Sequence, residues 1–135
     1  MLPRDLEIFL DENHHNNKKL LEALRRHGVI VHRYGDYFQP QRPDTEWMEF
    51  LAEHGWAVLT TDKRIRYRPL ERAAVESNRI AMFCFTSNMG SDKMVTALLQ
   101  GLPKMRRLYN SHPRPFIATI SEAGAVEVHE SFGRV

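Results

Sequence analysis

Ile8-Phe9-Leu10-Asp11-Glu12-Asn13 is the stretch on which the reading of this chain turns. Three apolar residues end abruptly in two carboxylates and an amide. A short apolar run bounded by polar residues reads as a buried strand. The acids then stand at its carboxyl end. In an open parallel sheet, that end faces the crevice where ligands bind. Asp11 is therefore the first candidate for chemistry. A plainer role is open to it as well, because Asp11 or Asn13 would also serve as the N-cap of a following helix.

Outward from this stretch, strands and helices alternate. Leu20, Leu21 and Leu24 give a helical stripe, and Gly28 suits the position just past its end. Val29-Ile30-Val31 reads as a second buried strand. Tyr34 to Pro43 reads as a loop rich in aromatic residues, Gly and Pro. Asp44 then precedes a stripe of Trp47, Phe50 and Leu51, closed by Gly55. Trp56-Ala57-Val58-Leu59 is a third strand running into Thr60-Thr61-Asp62. Pro69 suits a helix first turn, with the helix continuing to about Ser77. Ile80 to Phe85 is the most apolar strand, and Ser87 to Asp92 a polar loop. A longer helix turns Met94, Leu98, Leu102, Met105 and Leu108 inward, and Gly101 and Pro103 are expected to bend or divide it. Phe116 to Ile120 and Val126 to Val128 form a last pair of strands around Ser121-Glu122-Ala123-Gly124, a hairpin whose final strand lies at the sheet edge. The pattern predicts an α/β fold, with helices on both sides of a mostly parallel sheet.

Composition bounds the rest. A length of 135 residues suits one domain, taken as 1–135, and 42% hydrophobic with 27% charged residues is ordinary for a globular chain. The net charge of +2 does not by itself imply nucleic acid. Cys84, the single cysteine, excludes an intrachain disulfide and a multi-thiolate zinc site, and reads as a buried thiol in a reducing compartment. With no apolar leader at Met1–Asp5 and no bilayer-length apolar run, the expected location is the cytoplasm, without a membrane partner.

Three aspartates are placed near one rim: Asp11 after strand one, Asp62 after strand three, and Asp44 opening the helix between strands two and three. Carboxylates gathered in one cleft repel unless a cation or a raised pKa relieves them. Oxygen donors without a His/Cys set suit Mg²⁺ or Mn²⁺. Such ions bind phosphate oxygens and activate water for phosphodiester hydrolysis. Capping also accounts for Asp44 and Asp62, simple solvation for Glu12, and His14 and His15 read as surface residues more readily than ligands. Immediately after Asp62, Lys63-Arg64-Ile65-Arg66-Tyr67-Arg68 concentrates positive charge. Beside an acidic cleft this run suits a nucleic-acid backbone, although a solvated basic face is its ordinary meaning. Tyr34, Tyr37, Phe38 and Tyr67 suit stacking on unpaired bases, or simply loop packing. Lys104 to Arg107 and His112-Pro113-Arg114 are placed on a distant face.

With those residues in view, the chain resembles PIN-like domains of metal-dependent ribonucleases, and most of all the short group among toxins of bacterial toxin–antitoxin pairs. The resemblance is carried by Phe9-Leu10-Asp11-Glu12-Asn13, by Asp44 opening a helix, and by Leu59-Thr60-Thr61-Asp62, over roughly Ile8 to Phe85. It implies a three-layer α/β/α sandwich and cleavage of RNA by metal-activated water. It implies that Asp11, Asp44 and Asp62 are catalytic and hold Mg²⁺ or Mn²⁺. Lys63, Arg64, Arg66 and Arg68 would bind the RNA. An antitoxin protein and a homodimer are the expected partners. Many PIN domains carry a further Asp or Asn two residues after the third acid. Here that position is Arg64, so Glu12 is the nearest substitute, and the number of metals is open. That departure keeps a catalytically inactive PIN-like module, binding RNA or protein, as an alternative. A phospho-accepting receiver domain is a lesser one: Asp11-Glu12, Asp62 and Thr86 or Ser87 fit it, but no Lys follows Phe116-Ile117-Ala118-Thr119-Ile120-Ser121.

Overall fold

The computed structural model describes residues 5–11, 16–61 and 68–130, without the side chains of residues 44, 45 and 130. Among them the elements run β1 (Glu7–Leu10), α1 (Lys18–Arg26), β2 (Ile30–Arg33), α2 (Tyr34–Tyr37), α3 (Asp44–His54), β3 (Ala57–Thr60), α4 (Pro69–Ser77), β4 (Ala81–Phe85), α5 (Ser91–Ser111), β5 (Phe116–Ile120) and β6 (Val126–Glu130). The six strands form one sheet in the order β2-β1-β3-β4-β5-β6. All neighbours are parallel except the β5–β6 hairpin. This is the α/β/α sandwich with a mostly parallel sheet that the alternation of strands and helices predicts.

The two-residue period of the strands divides the core into two layers. Ile8 and Leu10, Ala57 and Leu59, and Ala81, Phe83 and Phe85 pack with Leu20 and Leu24 of α1 and with Met94, Leu98, Leu102 and Met105 of α5. Phe9, Val58, Met82 and Ile117 point the opposite way, onto Tyr34, Trp47, Met48 and Leu51 and onto Ala74 and Val75 of α4. Central strands covered on both faces must be apolar throughout, and β3, β4 and β5 are buried at every position.

Three expectations need correction. β2 is not a buried strand: it is an edge strand, with Ile30 42% exposed, and only Val29, just before it, is fully buried. The apolar triplet was misleading because an edge strand buries one face alone. The stretch Tyr34 to Pro43 is not all loop, since Tyr34–Tyr37 form a helical turn. Finally, α5 is not divided, and it already begins at Ser91, inside the predicted polar loop: it runs 21 residues through Gly101 and Pro103. Gly101 has a packing role. A Cβ there would stand 2.7 Å from Val126 Cγ2 and 3.3 Å from the Gly124 carbonyl, so the bare backbone lets the hairpin lie against the helix. Pro103 sits on the exposed side of the same helix.

The remaining elements follow local rules. Asn17 caps α1, its Oδ1 accepting from Leu20 N–H at 3.2 Å. Gly55 ends α3 in the left-handed conformation, φ 74°. Pro69 opens α4. No helix of the described residues is long and apolar enough to cross a membrane.

Candidate functional site

Chain order and strand order together locate the crevice. From β1 the chain steps outward to β2, then crosses back over β1 to β3. The sheet therefore changes winding direction between β1 and β3. Ligands of open α/β sheets bind outside the carboxyl ends of strands at such a switch point. Leu10 of β1 is in register with Leu59 of β3. The next residues out, Asp11 and Thr60, therefore face each other across the switch point.

They are bonded there. Thr60 Oγ1 donates to Asp11 Oδ2 at 2.6 Å, the short distance of a hydroxyl on a carboxylate. Asp11 is only 7% exposed and Thr60 fully buried. The other carboxylate oxygen, Oδ1, is also out of contact with solvent. A carboxylate withdrawn from water to this degree is costly, and the fold bears that cost at the one position where the sheet opens a crevice. Capping does not account for it, because the N-cap of α1 is Asn17.

Alternation fixes the side on which Asp11 lies. It shares a face with Phe9, and Thr60 shares a face with Val58, so both point to the α3–α4 side. Asp44 is the first residue of α3, with Pro43 in the cap position rather than Asp44. Because β2 and β3 are parallel to β1, α3 has to start at the rim where β2 ends and run back. The Tyr34 hydroxyl secures that entry, donating to the Gln39 carbonyl and accepting from Arg42 N–H, each at 3.0 Å.

The basic and aromatic expectations divide. Glu12, Asp62, Lys63, Arg64, Arg66, His14, His15 and Tyr67 lie outside the described residues, as does the side chain of Asp44. Arg68 is half-buried and occupies the cap position of α4. Tyr34, 1% exposed, and Phe38, packed in the same layer, do not stack on bases; they build the core around Phe9. Tyr37 is 44% exposed. Arg106 and Arg114 donate to the carbonyls of His27 and Gly55, which lie at the amino ends of β2 and β3, away from the Asp11 rim.

Two residues of the rim were not singled out from sequence. Thr60 stands beside Asp11 as described. Arg33 ends β2 in register with Leu10, one strand away from Asp11. Its signal was a weaker form of the one that drew attention to Asp11, a charge just past an apolar run, here with His32 in between.

For a divalent ion, the described donors here are oxygens, the Asp11 carboxylate and the Thr60 hydroxyl, which fits Mg²⁺ or Mn²⁺ in kind. Among the described residues, no cluster of three or more His, Cys, Asp or Glu is assembled.

The Thr60 contact has a measurable consequence. Thr60→Val preserves shape but leaves Asp11 Oδ2 without its hydroxyl donor. Expected is a loss of about 1–3 kcal/mol in urea unfolding, while Thr60→Ser, which restores the donor, recovers most of it.

A family model for a PIN like domain matches residues 6–87, more than half of the chain and nearly the span over which the sequence motifs fall. No curated protein and no solved structure matches the chain.

Proposed function

The chain belongs to the PIN-like domain family, a class of nuclease-type or RNA-binding domains, and on that premise we propose that it is a metal-dependent endoribonuclease. The observation that supports this most is Asp11, a carboxylate withheld from solvent at the β1–β3 switch point and fixed by Thr60. In this reading Asp11, Asp44 and Asp62 hold Mg²⁺ or Mn²⁺, with Glu12 as an auxiliary ligand in place of the acid that Arg64 replaces. The ion, when bound, supplies Lewis acidity and a lowered water pKa. The protein's own residues do the rest. Thr60 orients the Asp11 carboxylate, so that no reorientation is required on loading. The β1 and β3 backbones hold the two strand ends at a fixed spacing. Lys63, Arg64, Arg66 and Arg68 bind phosphate oxygens and offset the charge that develops on them.

The test is cleavage of single-stranded RNA by purified protein. Mn²⁺ or Mg²⁺ should support cleavage, EDTA should abolish it, and readdition of excess metal should restore it. Absence of cleavage over varied RNAs, with RNA binding retained, would overturn the enzyme and leave a binding module. Arg64 at the usual fourth-acid position is the observation in favour of that second reading.

The toxin role, an antitoxin partner, a homodimer and action in the cytoplasm complete the proposal. The first three rest on the sequence resemblance, and the cytoplasm on the single thiol Cys84, buried as a reducing compartment allows. Light scattering of the purified chain reads the dimer directly.

A further inference from the structure

The helix α1 carries four cations besides His27's neighbourhood, and they are not equivalent. Arg26 pairs with Glu22 at 2.7 Å and Lys19 with Asp92 at 2.9 Å. Lys18 and Arg25 form no ion pair among the described residues, and both are exposed. They lie seven residues apart, two helical turns, and so on one face with Leu21 between them. Arg33 arrives beside that face from β2. Alternation puts it on the same side of the sheet as Val31, which packs in the α1–α5 layer. Together with Asn16 and Asp36 these residues line a groove of about 400 Å³, within the range of ligand-sized clefts.

The groove has a defined construction. Asp36 accepts from Arg33 Nη1 at 3.2 Å and Asn16 Oδ1 accepts from Nη2, so the guanidinium is held at the mouth. Leu21 supplies an apolar wall. Among the described lining residues three cations face a single carboxylate, which is engaged with one of them. The second groove, between α1 and α5, is lined by Lys19, Glu22, Arg26 and Asp92, whose charges cancel in pairs. Of these two grooves, the first is the one whose described lining residues carry a net positive charge to attract an anion.

Its position relates it to the candidate site. Arg33 is in register with Leu10, the residue before Asp11, on a neighbouring strand about 4.8 Å away; its side chain lies on the α1–α5 face and that of Asp11 on the α3–α4 face, so a chain passes from one to the other over the ends of β1 and β2. In the order β2-β1-β3, the groove lies on the β2 side of Asp11, while the run Lys63 to Arg68 follows β3 in the chain. A polymer crossing the rim from Asp11 toward β2 would meet the cations of this groove.

We propose that the groove formed by Lys18, Leu21 and Arg25 of α1 with Arg33 of β2 binds the phosphodiester backbone of single-stranded RNA as it leaves the Asp11 rim. The choice of RNA rests on the ribonuclease reading above. The groove itself rests on Lys18 and Arg25, which form no ion pair among the described residues, and on its place beside Arg33. Leu21 packs against a ribose or base edge, and the three cations take the phosphates.

The experiment measures binding rather than cleavage. A labelled single-stranded oligoribonucleotide is titrated with protein in EDTA over a series of salt concentrations, followed by fluorescence anisotropy. The double variant Lys18→Ala/Arg25→Ala changes exposed side chains only. It should weaken binding roughly tenfold at low salt and make the slope of log K against log salt shallower by about 1.4, two phosphate contacts on a single strand. Lys104→Ala/Arg107→Ala removes the same charge from exposed positions further along α5 and should leave the slope as in the wild type. Equal losses in both variants would overturn the groove in favour of overall charge. Wild-type affinity and slope in the Lys18→Ala/Arg25→Ala protein would overturn it too. A wild-type protein that binds no oligonucleotide would instead overturn the RNA reading, and the groove with it.

Discussion

Asp11→Asn abolishes metal-dependent RNA cleavage and leaves the fold standing. The two halves of this expected result have separate causes. Asn keeps the size of Asp, and its carbonyl oxygen still accepts from Thr60 Oγ1. What disappears is the negative charge. For folding, that is neutral or favourable, because a carboxylate 7% exposed is costly to withdraw from water. For binding a divalent ion it is a severe loss, since an amide oxygen replaces an anionic ligand. Cleavage with Mn²⁺ should fall by roughly a hundredfold or more, while the thermal midpoint holds or rises slightly. Undiminished cleavage by the Asn variant would remove Asp11 from the centre of the reaction. A collapsed thermal midpoint would assign the carboxylate a structural role instead.

Phe9→Ala is expected to give the largest loss of stability. Phe9 is fully buried, two residues before Asp11 and on the same face of β1. Its ring stacks on Trp47 at 5.9 Å, meets Phe38 edge-on at 6.3 Å and lies tilted against Tyr34, also at 6.3 Å. Truncation removes the ring's transfer energy and leaves a cavity that three large rings cannot readily close. The cost should be about 3–5 kcal/mol, a large share of a typical domain's 5–15. In urea this moves the midpoint down by on the order of 2 M, with the slope unchanged. Phe9→Leu should cost under about 1.5 kcal/mol. A loss below about 1 kcal/mol for Phe9→Ala would mean that this aromatic layer is not packed as described. The site should also suffer, because Tyr34 secures the chain entering α3 at Asp44 and rests on Phe9.

The fold was legible where one residue pattern has one physical meaning. The runs at Ile8–Leu10, Ala57–Leu59 and Ile80–Phe85 are apolar because both sheet faces are covered. Gly28 and Gly55 mark helix ends because each takes a positive φ, 82° and 74°, that other residues resist. Reading was poorer where one pattern has two meanings. Val29-Ile30-Val31 is as apolar as a central strand, but nothing in three residues distinguishes an edge. Gly101 and Pro103 would interrupt an isolated helix. In α5 the hairpin packs onto Gly101, and tertiary contact overrides local propensity. Tyr34 and Phe38 carry the composition of a base-stacking loop and serve instead as core.

Asp11 could be picked out in sequence because a charge at the end of a buried run is conspicuous along one dimension. Thr60 as its partner could not, since their bond joins positions 49 residues apart. Lys18, Arg25 and Arg33 are scattered singly among other charges, whereas Lys63 to Arg68 forms a visible run. By itself the sequence determined the alternation of strands and helices, the layers they form and the acid at the end of β1. These depend on periodicity and on which residues resist water or a given φ, all local properties. Only the tertiary structure decided that β2 is an edge, that Thr60 grips Asp11 at the switch point, and that three separate cations share one groove. Strand order and register set those facts, and both are chosen by packing energies summed over the whole sheet rather than by any one segment.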